Sequence, residues 1–127
     1  MITRAFLAFN ALAIGTIGLL YLYDPNILLG RYGLETGSVG MDNMLRATYG
    51  GLYLGAAALF SLGLLKQSRA RDSIGFVVVF MMTTAIGRIA SIFSEGVPSG
   101  GIMPLLYFEL IVGAIGFVLY FRPRTAA

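Results

Sequence analysis

Four long apolar runs, separated by short polar connections, constrain the fold of this chain more than any other feature of its sequence. Each run is close to the roughly 20 residues that a helix needs to cross the hydrocarbon core of a bilayer. A lone strand could not replace such a helix, because its backbone groups would lack hydrogen-bond partners in lipid. We therefore predict an all-α, polytopic integral membrane protein with four transmembrane helices at approximately residues 5–23, 41–65, 73–93 and 102–121.

The balance of apolar and charged residues leads to the same fold class. Of the 127 residues, 57% are hydrophobic and only 12% are charged, whereas soluble proteins carry about 25% charged residues. A soluble domain of this length cannot bury so much apolar surface, because small domains leave a large share of their chain exposed. We therefore predict a single four-helix transmembrane domain over residues 1–127, with membrane lipids around it.

Two residue types are missing from the chain, and their absence excludes several kinds of site. The chain has no cysteine, which excludes disulfides, thiolate metal sites and cysteine nucleophiles. It also has no histidine, which is the commonest general base and the usual ligand of haem and zinc. The basic residues form no stripe of the kind that binds nucleic acid. We accordingly predict no catalytic residues, no metal, no cofactor and no nucleic-acid partner.

The basic residues outside the four runs predict the orientation of the chain. Four crossings place both termini on the same side of the membrane. Six basic residues lie on that side and only Arg31 lies on the other, and this bias marks the cytoplasmic face. The prediction is an up-down bundle with its N and C termini in the cytoplasm. The six residues are Arg4, Lys66, Arg69, Arg71, Arg122 and Arg124.

Three charged residues lie inside the apolar runs, away from the ends: Arg46 in the second, Arg88 in the third and Glu109 in the fourth. The predicted topology puts Arg88 roughly 8 Å and Glu109 roughly 10 Å below the outer surface, at 1.5 Å per helical residue. A charge in a helix that spans lipid costs at least about 2.5 to 3.5 kcal/mol, so such residues usually face the bundle and pair. We expect Glu109 to pair with Arg88 or with Arg46.

Helical spacing gives these charges polar companions in the same layer of the outer leaflet. Two interpretations of the layer remain open. It is either a set of structural ion pairs that fixes helix register, or an outward-opening pocket for a polar or anionic headgroup. The candidate residues of this polar layer are Arg46, Tyr49, Tyr53, Arg88, Ser91, Glu95 and Glu109.

Small residues recur four residues apart in the first and second runs and three residues apart in the fourth, and such small faces let helices approach closely. We predict that they pack helices within the bundle, with self-association as the alternative. The candidate packing residues are Ala11 and Gly15 in the first run, Gly51 and Gly55 in the second, and Gly113 and Gly116 in the fourth.

Three short motifs resemble one known family of proteins. In the order of the chain, they are Arg46-Ala-x-Tyr-Gly-Gly-x-Tyr-x-Gly, then Gly87-Arg88-x-x-Ser91 followed by Glu95-Gly96-x-Pro98, and finally Glu109-Leu-x-x-Gly113. They resemble small bacterial four-helix membrane proteins that are catalogued as domain of unknown function 4345, and the resemblance covers nearly the whole chain. It implies the four-helix fold and a multi-pass location in the bacterial inner membrane, but no activity.

Three hypotheses about function follow from these observations. The first is an accessory or scaffold subunit of a larger membrane complex, favoured by small size, short loops and the lack of catalytic residue types. The alternative is a lipid- or anion-binding protein or carrier that uses the pocket formed by Arg46, Arg88 and Glu109. The third is a lipid-modifying enzyme in which Glu109 or Glu95 acts as the acid and base.

Overall fold

A computed structural model of the protein describes residues 1–98 and 101–122. Four helices dominate the described part, and each is long and apolar enough to cross a membrane, which confirms the predicted fold class. Arg124 and the middle of the loop between the third and fourth helices lie outside the described residues. The four helices are α1 (Ile2–Tyr23), α2 (Val39–Leu65), α3 (Ala70–Glu95) and α4 (Met103–Phe121).

The longest connection, between α1 and α2, is folded back on itself. Helix α1 ends before Asp24, whose carboxylate accepts a hydrogen bond from the Asn26 backbone N–H at 2.9 Å. Asn26 then bonds across the loop to Thr36, through its Nδ2 at 3.0 Å and its Oδ1 at 2.9 Å. Ser38 caps the start of α2 by accepting from the Met41 backbone N–H at 3.2 Å. The Asp24 bond satisfies the first backbone N–H of a short helix at Asn26–Leu29, and the Ser38 bond satisfies one in the first turn of α2.

The helices pack mainly in chain order, α1 on α2, α2 on α3 and α3 on α4, with a smaller contact between α1 and α3. Their core is a narrow seam, and many large apolar side chains remain on the outside. Phe93 is 87% exposed and Leu65 is 80% exposed, for example. Such a surface is typical of helices that face lipid. The most buried large side chains of the seam are Leu7, Phe60, Val77 and Met81.

Glycines bring α1 and α2 into close contact, at positions other than those predicted. A Cβ added at Gly50 would lie 2.7 Å from Leu22 Cγ, and one added at Gly18 would lie 3.1 Å from the Gly50 carbonyl oxygen. By contrast, a Cβ at Gly55 would meet nothing within 4 Å, and one at Gly51 only the Arg46 carbonyl oxygen of its own helix. The expectation that Gly51 and Gly55 pack against another helix of the bundle is therefore corrected.

The remaining small residues do lie at helix contacts. A Cβ at Gly15 would be 3.4 Å from Ala57, and Ala11 packs against the buried core. On α4, a Cβ at Gly113 would lie 2.6 Å from the Met82 sulfur. A Cβ at Gly116 would lie 2.8 Å from Val78 Cγ2, also on α3. These contacts allow α4 to lie closely along α3.

Helix α2 departs from α-helical geometry over Arg46–Leu52, which forms a π-helix of seven residues. A π-helix bonds each residue to one five positions away, so it changes which side chains share a face, and it is frequent at functional sites. Sequence periodicity did not predict this segment. It carries Tyr49 and Gly50, two of the residues that shape the contacts of α2.

Towards the end of α2, a buried serine of α3 forms hydrogen bonds with the α2 backbone. Ser73, which is fully buried, accepts a hydrogen bond from the Gly63 N–H at 2.8 Å and donates one to the Leu59 carbonyl at 2.8 Å. Gly63 allows this approach, because a Cβ there would lie 2.8 Å from the Cα of Ala70. The hydroxyl thus bridges a donor and an acceptor four residues apart in α2 and ties the start of α3 to it.

Candidate functional site

The ion pair predicted from the sequence joins α3 to α4. Arg88 Nε donates to both carboxylate oxygens of Glu109, each at 2.9 Å. The Glu109 side chain is only 9% exposed, whereas that of Arg88 is 30% exposed. Of the two arginines expected as partners, Arg88 is therefore the one that pairs. Its charge is compensated by a carboxylate that is almost completely enclosed.

This geometry leaves most of the arginine unused. A guanidinium carries five N–H donors, of which only one is on Nε. Within residues 1–98 and 101–122, the terminal nitrogens of Arg88 donate to no protein acceptor. Unpaired donors are costly in an apolar environment. The pair is thus electrically balanced, but four of its N–H donors remain available to something other than the described protein groups.

A cavity of about 400 Å³ adjoins the pair between α2, α3 and α4. Small-molecule sites in proteins usually occupy about 300–1,000 Å³, so the cavity is large enough for a ligand group. Its lining combines polar side chains with apolar ones. The polar members are Tyr49, Tyr53, Thr84, Arg88 and Ser91. The others are Gly87, Ile92, Pro98, Ile102, Met103 and Leu106.

A series of aromatic rings supports the α2 side of the cavity. Tyr21 of α1 stacks on Tyr49 with ring centroids 5.0 Å apart. Tyr49 meets the edge of Tyr53 at 5.4 Å, and Tyr53 meets Phe80 of α3 at 5.1 Å. Such contacts each contribute about 0.5–1.5 kcal/mol beyond area burial. They hold the two cavity tyrosines by their rings, while neither hydroxyl bonds to a described protein group.

Four of the seven residues of the predicted polar layer line this cavity. They are Tyr49, Tyr53, Arg88 and Ser91. Glu109 does not line the cavity but lies buried at α4, where it orients Arg88.

Two other members of the predicted layer lie elsewhere. Arg46 is exposed, and its Nη2 lies 3.5 Å from the carbonyl oxygen of Tyr23, at the end of α1. The π-helical segment begins at Arg46 and has more residues per turn than an α-helix. The Arg46 side chain therefore does not point in the same direction as that of Tyr53, although α-helical spacing had predicted that it would. Glu95 is the last residue of α3, and it is exposed on the outside of the bundle. Neither residue lines the cavity.

Gly87 is the cavity residue that sequence reasoning missed and could have found. A Cβ at Gly87 would meet no atom of the described residues within 4 Å, so the missing side chain leaves space open directly beside Arg88. An isolated glycine in the interior of a helix is unfavourable relative to alanine by about 1 kcal/mol, which is the signal that could have marked the position. The contribution of Ile102, Met103 and Leu106 depends on helix packing and has no sequence signal.

One family model matches the chain over nearly its whole length. It is described as a domain of unknown function (DUF4345), and it matches residues 2–120. The chain belongs to this family. The DUF4345 match includes all of the cavity residues and both members of the ion pair, and its description assigns no activity. No match was found among curated proteins or among solved structures.

Proposed function

We propose that this protein binds a membrane lipid, holding the headgroup or glycerol region of that lipid in the cavity between α2, α3 and α4. The observation that carries the proposal is Arg88, which lines the cavity with four N–H donors that no described protein group uses. Tyr49, Tyr53 and Ser91, which each carry a hydroxyl group, line the same cavity. Together these groups offer hydrogen bonds to acceptor oxygens inside an otherwise apolar environment.

The charge balance favours a lipid that is neutral overall. Glu109 already compensates Arg88 at 2.9 Å, so an added anion would gain little net attraction from this site. The terminal N–H donors of Arg88 therefore require hydrogen-bond acceptors, whereas a further negative charge is not required. Ester carbonyls, hydroxyls and the phosphate of a zwitterionic headgroup all supply such acceptors. The ligand class is thus an uncharged or zwitterionic lipid rich in acceptor oxygens, which narrows the lipid-or-anion hypothesis drawn from the sequence.

The membrane orientation that we infer places this cavity in the outer leaflet. The bias of basic residues toward the termini and the loop at residues 66–72 supports cytoplasmic ends. Arg88 and Glu109 then lie nearer the external ends of α3 and α4. We propose the bacterial cytoplasmic membrane as the location, which rests on this bias and on the resemblance to small bacterial membrane proteins.

The experiment uses phosphatidylethanolamine as a zwitterionic probe and native mass spectrometry of the purified full chain as the readout. The parent protein should retain one bound phosphatidylethanolamine at detergent concentrations high enough to compete for the cavity. Arg88→Gln should weaken retention about tenfold or more, because hydrogen bonds from a charged donor contribute about 1.5–3 kcal/mol. Arg46→Gln is the matched control, since it removes the same charge from a residue outside the cavity. Equal retention by the parent and Arg88→Gln would overturn the proposal.

An accessory-subunit role is a second candidate, favoured by one face of α2. Ala47, Gly51 and Gly55 are exposed, and the two glycines have no neighbouring helix within 4 Å of an added Cβ. Such a smooth surface fits a helix of another membrane protein. Purification from native membranes should then retain a partner that Gly51→Leu removes, and a partner that stays bound to the variant would contradict this role.

Catalysis by the acidic residues is not part of the proposal. Glu109 is buried behind Arg88 and is absent from the cavity lining, and Glu95 lies outside it. An acid or base must come within hydrogen-bond reach of the atom that it serves. The geometry therefore favours binding over chemistry at this site.

A further inference from the structure

A second cavity, of about 760 Å³, lies at the opposite end of the bundle. The beginning of α1, the turn at Gln67 and Ser68, the beginning of α3 and the end of α4 all contribute to it. It shares no lining residue with the cavity around Arg88. It is therefore a separate site, and the orientation proposed above puts it at the cytoplasmic surface of the membrane.

The charges of this second cavity are not compensated as Arg88 is. Arg71 and Arg122 both line it. Across residues 1–98 and 101–122, the salt bridges join Arg69 to Asp72 and Arg88 to Glu109, so neither lining arginine has a carboxylate within 4 Å. Among the described residues that line the cavity, none is acidic. The cavity accordingly concentrates positive charge where the helices meet the membrane surface.

Packing holds one of these arginines in a defined position. The guanidinium carbon of Arg71 lies 4.9 Å from the ring centroid of Tyr120, within the range of a cation–π contact. Tyr120 is itself seated against Gly75, where an added Cβ would lie 3.3 Å from its ring. The ring thus positions the guanidinium but does not use its N–H donors in hydrogen bonds.

We propose that this cavity binds the phosphate of an anionic phospholipid from the leaflet at that surface. A guanidinium donates two parallel hydrogen bonds to a phosphate, which makes arginine the preferred residue for this group. Basic pockets between transmembrane helices on the cytoplasmic side bind anionic headgroups for the same reason. Ile74 and Leu119 supply an apolar wall beside the arginines, which suits a ligand that is part headgroup and part hydrocarbon. A membrane lipid satisfies both requirements, whereas a free phosphate uses only the first.

The sequence makes an unambiguous reporter available, because the chain contains no tryptophan. Ile2 lines the cavity and is 63% exposed, so Ile2→Trp adds a single fluorophore with little effect on packing. The full chain carrying this reporter is reconstituted in phosphatidylcholine vesicles that contain brominated phosphatidylglycerol or, separately, brominated phosphatidylcholine. Quenching by bromine then measures which lipid lies next to the cavity.

The reporter should show a preference for phosphatidylglycerol of about fivefold or more, on the scale expected for one basic residue at a membrane surface. Arg71→Gln should reduce that preference about fivefold by the same reasoning. Arg71→Lys should keep only part of it, because lysine retains the charge but cannot donate two parallel hydrogen bonds. Lys66→Gln is the matched control, because it removes an equal charge from the turn just before α3 but not from the cavity. An equal loss in Lys66→Gln, or no preference in the parent, would overturn the proposal.

A further arm separates the lipid from a soluble source of phosphate. Glycerol 3-phosphate is added to the reporter protein in vesicles of phosphatidylcholine alone, and no change in emission is expected. An emission shift that depends on Arg71 would instead identify a soluble phosphate as the ligand and would overturn the lipid assignment. This outcome does not depend on the cavity between α2, α3 and α4, because the two cavities share no lining residue.

Discussion

Glu109 engages Arg88 through a single nitrogen: both carboxylate oxygens accept from Nε at 2.9 Å. A guanidinium can also meet a carboxylate with two parallel bonds from two nitrogens. The arrangement seen here compensates the charge of Arg88, while its terminal N–H groups donate to no acceptor within the described part of the chain and lie at a cavity. One pair can thereby fix the register of α3 against α4 and still present donors to a ligand.

The stability of the bundle should depend on the two partners of this pair together. Arg88→Gln and Glu109→Gln should each lower the free energy of unfolding by about 2 to 4 kcal/mol, because each leaves an uncompensated charge in a buried position. The double variant should lose clearly less than the sum of the two losses. Unfolding titrations in sodium dodecyl sulfate provide the three values, and a simple additive result would show that the pair is not coupled.

The hydroxyl of Tyr53 should matter for the ligand and not for the fold. Tyr53→Phe keeps the ring contacts to Tyr49 and Phe80, so the free energy of unfolding should change by less than about 1 kcal/mol. Retention of phosphatidylethanolamine should fall about threefold to tenfold, the effect of losing one neutral hydrogen bond. Tyr107→Phe is the control, since Tyr107 is exposed and does not line the cavity. A loss of stability without a loss of lipid would assign Tyr53 a structural role only.

Replacing two glycines of α2 by alanine should affect the stability of the protein very differently. Gly63→Ala should destabilise the protein by about 1–3 kcal/mol, because its Cβ would lie 2.8 Å from the Ala70 backbone. Gly55→Ala should change the free energy of unfolding by less than about 1 kcal/mol or slightly raise it, because its position is open. The same dodecyl sulfate titration measures both. Equal losses in the two variants would mean that the contacts of α2 are wrongly described.

The orientation can be tested because the chain contains no cysteine. Gln67→Cys and Glu35→Cys each introduce a single thiol at an exposed loop position, on opposite sides of the predicted membrane. In intact bacterial cells expressing the protein, a membrane-impermeant maleimide should label Glu35→Cys and should reach Gln67→Cys only after permeabilisation. The reverse pattern would place the termini outside, and the cavity around Arg88 in the inner leaflet.

The fold could be predicted from the sequence because the bilayer allows so few solutions. Runs of about 20 apolar residues must be helical in a bilayer. An arginine and a glutamate at the same depth within it are expected to form an ion pair. The helices could be identified on these grounds, and the partner of Glu109 could be limited to Arg88 or Arg46. The choice between the two arginines could not be predicted, because it depends on the direction of each side chain around its helix.

The details of α2 could not be predicted from helical periodicity. Small residues lie on every face of this helix, so spacing alone does not select Gly50 over Gly51 or Gly55 as the contact with α1. The π-helical segment then rotates the side chains before it relative to those after it, and no local sequence pattern in Arg46–Leu52 predicts the segment. The same shift explains why Arg46 and Tyr53 do not meet at one site.

The central claim, that a lipid occupies the cavity beside Arg88, is tested most directly by filling that cavity. Gly87→Leu adds a side chain where nothing lies within 4 Å and leaves the Arg88–Glu109 pair in place. Gly55→Leu adds the same side chain at an equally open position outside the cavity. By native mass spectrometry with phosphatidylethanolamine, Gly87→Leu should lose the bound lipid and Gly55→Leu should keep it. Full retention by a folded Gly87→Leu protein would contradict the claim.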